Sequence, residues 1–383
     1  MHSPVSVSRA TRRATATLLF VGASIILVPW RLTANETEQR AEWKAVPTDA
    51  DQASADSPAL ATKKPDATTK PLHADRLTGR LVVQATLQRK GDDKEMVSGL
   101  IGIDPNSGDW KAITQGGHSV RISPESSTLA FEKSSPNFEA DAARNDEIWT
   151  CDAYTGADAR LVAAVGGRPV WSPDGLELVC SGGEVNEEDK KETPEKPVWD
   201  VVTWKINHDG GEKTKLPIPS TDFVEDWSPD GQWFVTSSDR HAPYGSGYQL
   251  YLMRTDATEQ RRLTQGRGLN VYARFSPDGK QVLFLHQEKG KNSIRTIELA
   301  SGKETTLFED DGLTRVTFAC WSPDGSHLTI SREDWELDEK GEAFRGSKDA
   351  KPRLAILDLD TKELRELPLS EAKVQWFGHA DWK

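Results

Sequence analysis

The chain has 383 residues, 28% of them charged, and a formal net charge of −12. That balance excludes a phosphate-neutralising nucleic-acid surface, which needs a basic stripe, and reads as solubility. Its three cysteines, Cys151, Cys180 and Cys320, are too few and too widely spaced for a disulfide framework or a zinc site. Each lies in an apolar, strand-like run and reads as a small buried hydrophobe, with one disulfide left open.

In chain order, Arg9, Arg12 and Arg13 precede the apolar run TLLFVGASIILVPW at 17–30. A basic segment ahead of a short apolar run is the layout of an export signal. Residues 14–30 are also just long enough to span a bilayer, so cleavage and membrane attachment both stay open. Residues 1–34 are therefore expected to be a signal peptide or N-terminal anchor, and the chain extracytoplasmic. Residues 35–76 are rich in Ala, Thr, Asp, Lys and Pro without apolar periodicity, and read as a disordered tether.

From residue 77 onward the chain repeats itself. WSPDG occurs at Trp171–Gly175, Trp227–Gly231 and Trp321–Gly325, FSPDG at Phe275–Gly279, and a worn copy, ISPES, at Ile122–Ser126. The motif prolines, Pro124, Pro173, Pro229, Pro277 and Pro323, are 49, 56, 48 and 46 residues apart. A period near 50 that drifts by insertion marks a repeated sheet unit. Each motif follows a run such as RPVW or FACW and precedes an alternating strand such as KQVLFLH. Pro presets φ, Asp accepts a backbone N–H and Gly takes positive φ, so the motif is a hairpin turn. Asp174, Asp230, Asp278 and Asp324, with Gly175, Gly231, Gly279 and Gly325, are accordingly scaffold. Trp171, Trp227, Phe275 and Trp321 are packing residues between units.

A second hairpin alternates with the first: LIGIDPNSGDWKAIT, EIWTCDAYTGADARLV, VVTWKINHDGGEKTKL, QLYLMRTDATEQRRLT, SIRTIELASGKETTLF and RLAILDLDTKELRELP. Six such hairpins with four strands per unit predict an all-β, six-bladed antiparallel β-propeller over 77–383. Only five turn motifs are present. The C-terminal GHADWK and the N-terminal TGRLVVQATLQ supply the missing one, so Trp382 ends the inner strand of a blade whose next strand is Leu81–Leu87. Pairing the termini in one blade removes the open sheet edges.

These repeats resemble the WD-like repeat of the TolB-type β-propellers. The resemblance covers residues 77–383 and implies an exported bacterial protein with six blades. The α/β domain that precedes the propeller in TolB has no counterpart in 35–75, and its lipoprotein partner is not carried over.

Chemistry is sparse. DPNSGD at 104–109 lacks the spacing and closing Glu of a calcium loop and reads as a plain turn. None of the eight histidines forms an H-x-H or H-E-x-x-H pair. His118, His241, His286 and His379 are assigned to inter-strand loops, where a composite site at one face is conceivable. No G-x-S-x-G nucleophile elbow occurs, and the ring closes at Lys383, so no following hydrolase domain is expected. No catalytic residue, metal or cofactor is assigned.

What remains is surface. Long polar loops at 133–147, 182–197, 239–248 and 333–352 carry Phe138, His241, Tyr244, Tyr248, Trp335 and Phe344. On a rigid scaffold such residues are contact candidates. The inner strands carry Arg168, Glu225, Asp226, Arg274 and Asp381, candidates to line the channel. The leading expectation is a monomeric, non-catalytic module binding a protein or cell-wall component through its loop face, without nucleic acid. The alternative is an enzyme, or a binder of small molecules or glycans, with its site at the central channel.

Overall fold

In the computed structural model, residues 77–89, 96–134, 146–164, 166–185, 199–241, 247–311, 314–334, 351–369 and 372–383 are described. They form 24 strands and no helix, arranged as six four-stranded antiparallel sheets. Residues 1–76, which hold the expected signal or anchor and tether, lie outside the described residues. Among the described residues no helix is long and apolar enough to cross a membrane.

The chain-closing blade places β24 (Ala372–Trp382) beside β1 (Leu81–Arg89), then β2 (Met96–Ile103) and β3 (Trp110–Gln115). The second runs β4 (His118–Ile122), β5 (Thr128–Lys133), β6 (Glu147–Asp152) and β7 (Arg160–Ala164). The third runs β8 (Gly167–Trp171), β9 (Glu177–Val185), β10 (Trp199–Asn207) and β11 (Lys213–Lys215). The fourth runs β12 (Asp222–Trp227), β13 (Trp233–Ser238), β14 (Gln249–Arg254) and β15 (Gln260–Arg262). The fifth runs β16 (Leu269–Phe275), β17 (Gln281–Glu288), β18 (Lys291–Glu298) and β19 (Glu304–Glu309). The last runs β20 (Thr314–Trp321), β21 (His327–Asp334), β22 (Lys351–Asp358) and β23 (Leu364–Glu366). The six strands β24, β4, β8, β12, β16 and β20 touch one another in a closed ring and surround the axis.

The turn motif holds each blade in the way its residues require. Ser172, Ser228, Ser276 and Ser322 donate their hydroxyls to the following Asp at 2.6–2.7 Å. The same hydroxyls accept an N–H five residues on, at 2.9 Å. The motif glycines sit at φ 71–75°, where a side chain would be strained. The missing sixth turn is rebuilt from the two ends. Lys383 N donates to Arg80 O at 3.0 Å, Trp382 Nε1 donates to Thr78 O at 2.9 Å, and Gly79 at φ 88° lies against Pro323.

Between the blades lie six buried apolar clusters, one at each interface. Trp171, Phe275, Trp321 and Trp382 are buried in them, and half-buried Trp227 packs edge-on against Phe234. Each indole N–H needs a partner when buried. Trp171 donates to Arg121 O at 3.2 Å and Trp321 to Arg274 O at 3.5 Å, so the packing residues of one blade brace the axial strand of the previous one. The three cysteines are free and buried, each in a different blade.

Candidate functional site

Every axial strand contains at least one bulge, where it advances by one residue more than its partner. A bulge re-aims the side chains beside it. Here it combines with backbone that these side chains seldom adopt: Ser119 lies at φ 50°, Arg168 at 57° and Tyr272 at 57°. Non-glycine residues in the left-handed region cost of order 1–3 kcal/mol and concentrate at functional positions.

These three residues converge on an axial pocket with Arg121, Glu225, Arg274 and His379, drawn from five of the six blades. The free space is small, about 10 Å³ for the centre of a water molecule, so it holds roughly one water. Its walls are charged. Arg168 donates to Glu225 Oε1 at 2.7 Å, and Ser237 Oγ donates to the same oxygen at 2.7 Å. Arg121 pairs with Asp226 Oδ1 at 3.2 Å and also donates to Glu225 O. Arg274 donates to Glu225 O at 2.9 Å. Asp226 Oδ2 accepts the N–H of Phe275 at 2.9 Å, and Asp381 Oδ2 accepts that of Ile122 at 2.7 Å. These two carboxylates tie neighbouring axial strands together while facing the arginines. Three arginines and three carboxylates therefore balance at the axis.

One wall is aromatic. The Tyr272 ring lies 4.8 Å from His379 and 5.8 Å from Phe318, and the Arg168 guanidinium sits 5.5 Å from Tyr272. Burial, reinforced by Arg168 and Arg274, holds the His379 pKa well below its ordinary value, so the ring is neutral at pH 7. Burial and the neighbouring Arg121 push Arg274 down to about 10, still charged at neutral pH. Burial opposes charge on Arg168, but Glu225, Tyr272 and Glu132 outweigh it and raise its pKa. Burial raises Tyr272.

Beside the pocket, His118 Nδ1 lies 2.9 Å from Glu132 Oε2, and Glu132 Oε1 accepts the Arg168 N–H. Burial works against both charges, yet their pairing wins: the His118 pKa is raised and that of Glu132 lowered.

Of the channel residues expected from sequence, Arg168, Glu225 and Arg274 line the pocket, and Asp226 and Asp381 brace it from behind. Of the loop residues, Phe138, Tyr244, Trp335 and Phe344 lie outside the described residues. Tyr248 is half-buried, 6.2 Å from Phe223, and burial pushes its hydroxyl up to about 12. His241 is exposed, its Nδ1 2.9 Å from Tyr251 Oη. Three histidines assigned to loops are in strands instead: His118 opens β4, His286 lies in β17 and His379 in β24. His118 and His379 each follow a glycine, and His286 stands where its strand turns polar at Gln287 and Glu288.

Ser119, Arg121, Tyr272 and His379 were not singled out for the channel, although a signal for them exists. Aligning the repeats on the residue that closes each axial strand, aromatic in all but Ile122, puts Ser119, Arg168, Val224, Tyr272, Phe318 and His379 at one position. Two residues later come Arg121, Val170, Asp226, Arg274, Cys320 and Asp381. Six of the seven residues that line the pocket belong to these two rings, and Glu225 falls between them in its strand.

No family profile matches the chain. A stretch of 171 residues is 26% identical to dipeptidyl-peptidase 5 of Porphyromonas gingivalis, covering 41% of this chain and 22% of that enzyme. The chain thus spans well under two-thirds of that relative. Among solved structures, TolB from Acinetobacter baumannii superposes with a TM-score of 0.57 at 18% identity, over 80% of this chain and 67% of that one. A structure assigned as TolB from Agrobacterium tumefaciens gives 0.51 at 16% identity, over 76% and 89%. At these identities the likeness is one of fold, and in fold this chain is a TolB-like six-bladed β-propeller.

Proposed function

We propose that the protein is a non-catalytic recognition module of the bacterial envelope, exported by its N-terminal segment, and that it engages a polypeptide partner at the axial mouth. The observation that carries this reading is the convergence of Arg168, Tyr272, Arg274 and His379 on one pocket. Arginine and tyrosine dominate binding hot spots because they combine contact area with directed hydrogen bonds. Two of the four occupy strained backbone, a cost that packing alone does not require. The pocket admits little more than a water, so recognition involves the Arg168 guanidinium leaving Glu225 for an acidic or carbonyl group of the partner. One quarter of the Arg168 side chain is exposed, which leaves it free to do so.

A second reading has one observation in its favour. His379 is kept neutral among arginines and beside Tyr272, so at the channel it could accept or donate one hydrogen bond to a small ligand or substrate. The partial match to dipeptidyl-peptidase 5, over 22% of that enzyme, is compatible with it.

The test is affinity capture from envelope extracts with the full chain and with Arg168→Gln/Arg274→Gln. A partner retained by the parent and lost by the double variant supports axial recognition. Equal retention by both moves the binding site elsewhere on the surface.

A further inference from the structure

Outside the arginine pocket, the described residues contain one grouping of side chains with the donors of a transition-metal site: His118, Glu132 and Asp146. We propose that these three residues form a zinc-class divalent-metal site on the second blade, at the end of the axial strands away from the turn motifs. No part of the recognition reading is needed for it.

The topology brings the three together. His118 is the first residue of β4, and Glu132 faces it directly across the β4–β5 pair. Asp146 immediately precedes β6, the next strand of the sheet. One donor atom from each residue lies within 4.8 Å of the other two. His118 Nδ1 is 2.9 Å from Glu132 Oε2, and His118 Nε2 is 3.9 Å from Asp146 Oδ2. Zinc–nitrogen and zinc–oxygen bonds near 2.0–2.2 Å place tetrahedral ligands roughly 3.3 Å apart. Nδ1 and the Glu132 oxygen are already close to that separation. A single ion takes one ring nitrogen, so loading requires the Asp146 side chain, 28% exposed and now nearer Nε2, to turn toward the Nδ1 side that Glu132 already faces.

The site is also supported from behind. The Glu132 side chain is 4% exposed, and its other oxygen accepts the Arg168 N–H. A Cβ on Gly167 would come within 2.6–2.8 Å of this carboxylate, so that glycine leaves the space the carboxylate fills. A fixed, hydrogen-bonded carboxylate is what orients a metal ligand. One imidazole and two carboxylates carry two negative charges, which match a divalent ion, and this donor set suits zinc or manganese rather than calcium. Solvent fills the remaining coordination position.

The experiment titrates the purified full chain with zinc alone, by calorimetry and by metal content after gel filtration, with magnesium as the oxygen-selective control. The expected result is one saturable zinc per chain, little magnesium binding, and a zinc-dependent rise in melting temperature. His118→Asn should abolish the zinc and the melting shift, and Asp146→Asn should weaken binding by at least about tenfold. Both changes lie at the sheet margin, whereas Glu132→Gln risks the fold through Arg168. His327→Ala, which removes a histidine near Asp358 in another blade, should leave binding unchanged. No saturable zinc, or zinc uptake that survives both His118→Asn and Asp146→Asn, overturns the proposal.

Discussion

Replacing Glu225 with glutamine tests whether the axial charges act as one network. Glu225 is buried, with 1% of its side chain exposed, and accepts from both Arg168 and Ser237. Glutamine keeps the shape and one acceptor oxygen but removes the charge. Arg168 then loses its counter-charge in a space where Arg121 and Arg274 also converge. Breaking a buried pair by removing one partner costs about 3–5 kcal/mol. The retained hydrogen bond and the quarter exposure of Arg168 favour the lower end. At roughly 2 °C per kcal/mol for a domain of this size, the melting midpoint should fall by about 6 °C. Thermal and denaturant unfolding followed by circular dichroism read this directly. Adding Arg168→Gln should restore part of the loss, with a coupling of about 1–3 kcal/mol in the double-mutant cycle. If Glu225→Gln lies within about 0.5 kcal/mol of the parent and the two changes are additive, the arginines do not depend on Glu225 and the network argument is wrong.

The pH dependence of stability carries a signature of His379, whose folded pKa is far below its ordinary value of 6.5. Below that value the unfolded chain takes up a proton that the folded ring refuses, so the contribution is complete above 6.5 and is lost as pH falls toward the folded pKa. Denaturant midpoints compared between parent and His379→Gln should show the parent losing more stability between about pH 7.5 and pH 5, and parallel losses would contradict a buried neutral ring. At the second blade, zinc uptake should depend on His118 and Asp146 and not on His327. In extracts, retention of the partner should depend on Arg168 and Arg274.

The scaffold was legible because its signals are local and repeated. Ser-Pro-Asp-Gly dictates one turn through its own side chains, and four copies showed the period. The split blade was legible for the same reason: Trp382 matches Trp171, and Leu81–Leu87 matches the strand that follows each turn. The pocket was half legible. Arg168, Glu225 and Arg274 were found because charge inside a strand ahead of a clear turn motif is conspicuous, whereas Arg121 precedes the worn ISPES copy, and Ser119, Tyr272 and His379 are ordinary residues made axial by a bulge. A bulge shifts which face a side chain meets, so strict alternation cannot place the residues before it. That is why Glu225 and Val224 exchange roles in the fourth blade, where the extra residue falls between Val224 and Asp226. Glu132 and Asp146 were invisible for another reason. Their partnership with His118 spans three strands, and no linear motif records it.

Site-specific photo-crosslinking in living cells would test the central claim, that recognition occurs at the axial mouth, most directly. One probe replaces Ser119, which lines the pocket without belonging to the recognition quartet, and another replaces Leu176, which is 57% exposed at a turn on the opposite face. The account predicts a discrete crosslinked species from position 119 and none from position 176. A partner captured from 176 and not from 119 would place recognition on the turn face and contradict it.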